Sequence, residues 1–212
     1  DEVADTLDIY RNGDQIPGNS FCADGNGTFA VFYGGAPILR VLTEDGAQWT
    51  DISFEEEFPR GCIARVIRFL DDENWYAALG TDWSMGTGGV TYVYWTHDAG
   101  ETWTCRLLPD TDALLLTGLE YTDTMNGMLT MEGAFGGDTW PHVYITEDGG
   151  ENFKEIEFPW DTIGSDVTFI NKVDSLVYEN GVYTLILGQG SYGNMKARFT
   201  AETLDGEWTF EE

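Results

Sequence analysis

Apolar residues along this chain come in short runs broken by polar turns, and few long helical periodicities interrupt them. The runs are rich in Val, Ile, Tyr, Phe and Thr, the residues that fit a pleated, half-buried surface. They predict strands in four sets: 20–23, 28–33, 38–43 and 48–54; 63–70, 75–80, 91–96 and 102–107; 115–121, 127–131, 142–146 and 153–157; and 170–178, 182–187, 196–201 and 207–210. Turn residues separate the first two strands of every set: Asp24-Gly25-Asn26-Gly27, Asp71-Asp72-Glu73-Asn74, Asp123-Thr124-Met125-Asn126-Gly127 and Glu179-Asn180-Gly181. Three of these contain Asn-Gly and read as tight hairpins. Phe58-Pro59, Leu108-Pro109 and Phe158-Pro159 put proline just after the last strand of three sets, where pairing has to stop. The resulting units are 16–58, 59–108, 109–158 and 159–212, preceded by an acidic arm at 1–15 with an edge strand expected around 7–10.

A second periodicity overlies the strands. Thr96-His97-Asp98-Ala99-Gly100-Glu101-Thr102-Trp103 follows the pattern Thr-x-Asp-x-Gly-x-Thr-Trp, and Thr146-Glu147-Asp148-Gly149-Gly150-Glu151-Asn152-Phe153 repeats it with Phe last. Thr43-Glu44-Asp45-Gly46-Ala47-Gln48-Trp49 and Thr203-Leu204-Asp205-Gly206-Glu207-Trp208 are contracted copies. Asp45, Asp98, Asp148 and Asp205 stand 53, 50 and 57 residues apart. Sheet-forming units at a period near fifty are the mark of a β-propeller. An aspartate can close such a turn by accepting hydrogen bonds from backbone N–H groups that follow it, and Gly supplies the positive φ. The aromatic residue then opens the next strand and enters the layer between sheets.

The pattern resembles the Asp-box (BNR) repeat of sialidases and related propellers, and the likeness runs through all four units. It implies an all-β fold: a small propeller of four four-stranded antiparallel blades with Asp-box turns. Such a ring is either closed or an arc completed by a second chain. The resemblance also implies that the boxes are structural and lie away from the active site. Sialidase domains have six blades, three arginines that hold a carboxylate, and a Tyr–Glu nucleophile pair. Here there are four units, and Phe58-Pro59-Arg60-Gly61 is not the Arg-Ile-Pro motif that opens those domains. No catalytic residue is therefore carried over.

The order of strands sorts the loops. First–second and third–fourth turns share one end of the molecule, whereas second–third loops and blade connections share the other. The second set is longer, Gly-rich and aromatic. It supplies the candidate ligand-binding residues Asp82, Trp83, Asp138, Trp140 and Tyr192, to which the connections add Arg60 and Trp160. An aromatic ring stacks on the apolar face of a sugar while Asp, Asn and Gln take its hydroxyls. The same tryptophans would also serve simply to plug loops onto the blade tops. Trp49, Trp103, Phe153 and Trp208 are expected in the core. Asp82, Glu132, Asp138 and Asp161 are the loop-face carboxylates from which a glycoside hydrolase would draw its pair.

Net charge narrows the partners. The chain carries 38 acidic and 10 basic residues, a net −28. Nucleic acid and anionic membrane surfaces require a basic face, so neither is expected as a partner. No apolar run approaches the ~20 residues of a membrane span, so membrane insertion is not expected either. Two histidines make a His-based zinc site unpromising, and no cofactor is expected. Calcium is the one ion the acidic loops could take, although no Asp-x-Asp-x-Asp-Gly loop is present. Gly188-Gln189-Gly190-Ser191-Tyr192-Gly193 matches a dinucleotide fingerprint but opens no helix. Cys22, Cys62 and Cys105 leave at least one thiol unpaired; a Cys22–Cys62 bridge and three buried small hydrophobes are both open. Asp1 in place of Met is what a processed or trimmed chain would show; a removed secretion signal would account for it, and so would a designed chain. The expectation is a secreted or cell-surface, non-catalytic propeller that binds a glycan or protein through the second–third loop face. The alternative is a divergent sialidase-like glycoside hydrolase.

Overall fold

The computed structural model describes residues 20–32, 36–42, 48–54, 62–81, 89–109, 111, 114–133, 139–189 and 195–211. The acidic arm lies outside them. Four separate four-stranded antiparallel sheets make up the fold, each with its strands in chain order. Blade one is β1 (Phe21–Ala23), β2 (Phe29–Phe32), β3 (Ile38–Leu42) and β4 (Trp49–Ser53). Blade two is β5 (Cys62–Phe69), β6 (Trp75–Thr81), β7 (Thr91–Thr96) and β8 (Thr104–Leu107). Blade three is β9 (Leu114–Tyr121), β10 (Gly127–Gly133), β11 (His142–Thr146) and β12 (Lys154–Ile156). Blade four is β13 (Lys172–Glu179), β14 (Val182–Gly188), β15 (Lys196–Ala201) and β16 (Thr209–Glu211). Among the described residues, blade four thus has its own outer strand. This is a four-bladed β-propeller.

A propeller blade is covered on both faces, so its middle strands lose the apolar–polar alternation of an ordinary surface sheet. Every residue of β6 is buried. Successive side chains still point to opposite faces, and that sorts them between two cores. Ala77 and Leu79 join Phe32, Leu39 and Phe54 between blades one and two. Their neighbours Tyr76 and Ala78 join Leu119, Leu129 and Met131 between blades two and three. A third core, built on Met128, Val143, Leu185, Phe199 and Trp208, joins blades three and four. The aromatic that ends each repeat packs toward the preceding blade: Trp103 in the first core, Phe153 in the second, Trp208 in the third. Trp49, expected in the core, is half-buried and belongs to none of these three cores; it pairs with Leu42, on the flank of blade one turned away from blade two, and lies edge-on to Phe29 of its own blade with ring centroids 6.0 Å apart. Three seams carry apolar cores among the described residues, and on the other flank of blade four Val177 and Val182 remain exposed.

The inner strands converge on a polar axis. Arg68 Nε on β5 meets Glu120 Oε1 on β9 at 2.6 Å, with both side chains only 18% exposed. Cys22 on β1 and Lys172 on β13 both feel the charges of this pair. Burial acts most strongly: it raises the Glu120 carboxyl and the Cys22 thiol and lowers the Lys172 ammonium. The Cys22–Cys62 bridge fails on geometry. Cys22 lies beside the backbone of Phe69, at the end of β5, whereas Cys62 begins that strand. Seven residues of extended chain separate the two ends by roughly 23 Å, and a disulfide needs Cα atoms within ~7 Å. All three cysteines are thiols in the core between blades one and two.

The turns that close the blades are built on aspartate. Asp98 Oδ1 accepts from Thr102 N at 2.8 Å and Thr96 Oγ1 at 2.6 Å, and its Oδ2 accepts from Thr102 Oγ1. The hydroxyl bonds of Thr102 and Thr96 pull the carboxyl down to about 2. Asp148 repeats the arrangement with Asn152 N at 2.9 Å and Thr146 Oγ1 at 2.9 Å. Asp205 keeps the bond from Thr203 Oγ1, at 3.1 Å. Asp45 lies outside the described residues. These turns bond directly to the first–second turns, Ala99 N to Glu73 O and Gly149 N to Met125 O, so both kinds occupy one end of the molecule.

The Asn-Gly reading needs correction in two of its three places. Asn180-Gly181 is a two-residue hairpin turn, with φ of 53° and 82°. Asn26 and Asn126 instead sit in longer turns closed by Asp24 and Asp123, whose Oδ1 atoms accept the Asn N–H at 2.7 and 2.8 Å. An Asp two or three residues earlier outcompetes the tight hairpin because it satisfies several N–H groups at once. One position separates equivalent turns. Ala99 has φ 54° and Gly149 φ 77°, but a Cβ on Gly149 would meet the Thr124 carbonyl at 2.9 Å. Gly149→Ala is expected to cost about 1–3 kcal/mol, whereas Ala99→Gly shifts stability by less than ~1 kcal/mol. Urea denaturation of the two variants checks this.

Candidate functional site

The opposite end of blade three carries a cleft of about 730 Å³, within the range of small-molecule sites. Its floor is aromatic. Phe158 follows the last strand of blade three by two residues, and Pro159 comes directly after it. The chain then makes a single 3₁₀ turn, Trp160–Thr162, fastened by Thr162 Oγ1 and Thr162 N, both bonded to the Pro159 carbonyl. That turn holds Trp160 over Phe158, with ring centroids 4.6 Å apart. Trp140, at the end of the loop between β10 and β11, lies parallel to Trp160 at 5.7 Å and an interplanar angle of 9°. Both indoles are half-buried and pack on the core between blades three and four. They therefore secure their loops and line the cleft at once.

The walls are polar. His142 Nδ1 pairs with Glu155 Oε1 at 2.7 Å, and Tyr144 OH donates to Glu155 Oε2 at 3.4 Å. Glu157, Thr139 and Pro141 complete the cleft mouth. Strand geometry accounts for the set: His142 opens β11, whereas Glu155 and Glu157 lie on and just after β12, its neighbour. The cleft thus offers flat apolar faces, two carboxylates and an imidazole to anything that enters it.

Of the residues expected to bind ligand, the structure brings together Trp140 and Trp160. Arg60, Asp82, Trp83, Asp138 and Tyr192 lie outside the described residues. Asp161 is exposed in the 3₁₀ turn, and Glu132 is half-buried at the end of β10. His142, Glu155, Glu157 and Phe158 line the cleft without having been singled out. Phe158 had a signal, since it precedes a blade-ending proline, but that signal reads as a boundary. The other three sit on or just after strands, where charged residues read as an ordinary solvated face. Among the described residues, no group of three or more His, Cys, Asp or Glu could hold a metal ion, and no helix is long and apolar enough to cross a membrane.

No protein-family model and no curated protein matches the chain. Solved structures do resemble it. The GH74 xyloglucanase from Xanthomonas campestris superposes with a TM-score of 0.53 at 11% identity, over 93% of this chain and 31% of its own. The GH43_1 enzyme from Xanthomonas citri, complexed with xylotriose, gives 0.54 at 12% identity, over 93% of this chain and 74% of its own. An endo-arabinase from Bacteroides thetaiotaomicron gives 0.51 at 12%, over 93% and 80%. This chain thus spans less than a third of the xyloglucanase. At such identities the likeness carries the propeller fold and nothing finer.

Proposed function

We propose that this chain is a non-catalytic, secreted or cell-surface propeller of the Asp-box (BNR), sialidase-like kind, and that it binds a glycan at the Trp140–Trp160 cleft. The parallel indole pair carries the reading. Two aromatic faces held rigidly on packed turns lose little entropy on binding, and they suit the C–H faces of pyranose rings. Glu157, Glu155 and His142 stand beside them as hydroxyl partners. Glu155 is already engaged by His142 and Tyr144, which favours holding over cleaving. The strongly negative surface favours a neutral sugar over an acidic one. The complex of the Xanthomonas citri enzyme with xylotriose suggests the first probes, the xylo-oligosaccharides. The acidic turns with their Thr and Asn partners support the Asp-box assignment, and they lie at the end remote from the cleft.

Calorimetric titration with xylotriose, beside a broad glycan array, tests the reading. Wild type is expected to bind at least one neutral oligosaccharide. Trp140→Ala and Trp160→Ala are expected to weaken that binding roughly tenfold or more, as for aromatic anchors in other sites. An array silent for wild type, or unchanged affinity in both variants, would remove the cleft as a glycan site. Retention of a protein partner instead, lost in the same variants, would move the reading to protein recognition.

A further inference from the structure

The cleft on blade three carries more negative charge than a neutral sugar uses. Glu157 stands between the end of β12 and Phe158, and it lines the cleft together with both indoles. It is exposed, and among the described residues no hydrogen bond or ion pair engages it. Glu155 lines the same cleft, held by His142 and Tyr144. No lysine or arginine is among the described residues that line it. The basic residue of β12, Lys154, is drawn to the other end of the molecule. Its Nζ meets Glu147 Oε2 at 3.1 Å and Asp205 Oδ2 at 3.2 Å, both in Asp-box turns.

The aromatic floor favours the same sign. An indole face is electron-rich and attracts a cation placed within about 6 Å of its centroid, more strongly than Tyr or Phe does. Trp140 and Trp160 stand parallel in the cleft, with Phe158 beneath Trp160. The field of the whole chain, at a net −28, adds to this attraction. A carboxylate and a π-face are different kinds of group on different residues, and both reward positive charge.

We propose that the preferred ligand of the cleft is an amino sugar, a pyranose that carries a protonated amine in place of a hydroxyl. The assignment rests on the glycan reading of the same cleft. The C–H face of such a ring lies on an indole, while its ammonium, with three N–H donors and no acceptor, reaches Glu157 in a charge-assisted hydrogen bond. A neutral sugar makes the first contact and only an uncharged version of the second. An N-acylated amine has lost its charge and gains no more at Glu157 than a hydroxyl does. A lysine side chain brings the charge but no pyranose face.

Calorimetric titration with three trisaccharides of one linkage tests this: those of glucosamine, N-acetylglucosamine and glucose. Trilysine is the control for charge alone. The titrations are run at about pH 6, below the ordinary range of such amines. Wild type is expected to bind the glucosamine trimer about fivefold more tightly than the glucose trimer, the worth of an exposed ion pair with a cation–π contact. Added salt should narrow that gap. Glu157→Gln keeps the length of the side chain and removes its charge, so it should bring the gap within about twofold. Trp160→Ala should weaken all the sugars together. Equal affinity for the glucosamine and glucose trimers, both weakened by Trp160→Ala, overturns the amino-sugar assignment and leaves the glycan cleft standing. A gap that persists undiminished in Glu157→Gln overturns it too, because the field of the whole chain is then the source. Trilysine bound as tightly as the glucosamine trimer, and equally weakened by Trp160→Ala, overturns the sugar class in favour of ammonium groups in general. No sugar bound by wild type overturns both readings.

Discussion

Phe158→Ala is expected to lower the unfolding free energy by about 3–5 kcal/mol, the cost of removing a buried phenyl ring and leaving its cavity. Phe158 is 9% exposed, with ring centroids 4.6 Å from Trp160, 4.8 Å from Phe199 and 5.6 Å from Trp208. Those partners come from the loop end, a middle strand of blade four, and the aromatic that closes the last repeat. The surroundings cannot collapse into the void without moving a blade, so the cost should fall toward the upper part of that range. The substitution should also disturb the cleft, since Trp160 rests on Phe158. Phe158→Leu keeps most of the volume and should cost less than Phe158→Ala. Guanidinium denaturation of both variants measures the first effect. A stability loss below 1 kcal/mol for Phe158→Ala would mean that the core between blades three and four is not packed as described.

The strands and the fold were readable in the sequence because the relevant signals are local. Val, Ile, Tyr and Thr runs specify strands, and Asp98 and Asp148 close turns with atoms no more than four residues away. Even the seam aromatics follow from position, since Trp103, Phe153 and Trp208 all stand at the same place in the repeat. The site was only half readable. Trp140 and Trp160 announced themselves as aromatics in loops that topology sends to one end. Glu155 and Glu157 did not, because their roles depend on what the fold brings beside them. Glu155 acquires His142 from β11, and Glu157 shares a cleft with the two indoles. Alternation says which face a residue occupies, but not whether a cleft opens there. The error over Asn26 and Asn126 has the same root: the dipeptide carries a hairpin signal, and the Asp before it carries a stronger one.

Arg68→Ala is expected to cost about 3–5 kcal/mol, because it leaves the Glu120 carboxylate buried at the axis without its partner. The pair itself need not be strongly stabilising, since both charges were taken out of water to form it. Replacing both, as Arg68→Met with Glu120→Leu, should therefore recover most of the loss, and the double-mutant cycle isolates their coupling. The pH dependence has a definite sign. Burial already raises the Glu120 carboxyl in the folded protein, with Arg68 opposing it. Without Arg68 the folded value rises further. A carboxyl raised on folding contributes stability below its unfolded pKa, and that contribution is lost as pH climbs through the folded value. The deficit of Arg68→Ala relative to wild type should thus be small near pH 4 and grow toward neutrality, as Glu120 is forced to ionise with only Lys172 left to oppose its burial. Urea denaturation across that interval reads it directly. A deficit that is flat with pH, or largest in acid, would show that Arg68 acts by packing or through other partners and that Glu120 does not depend on it for charge.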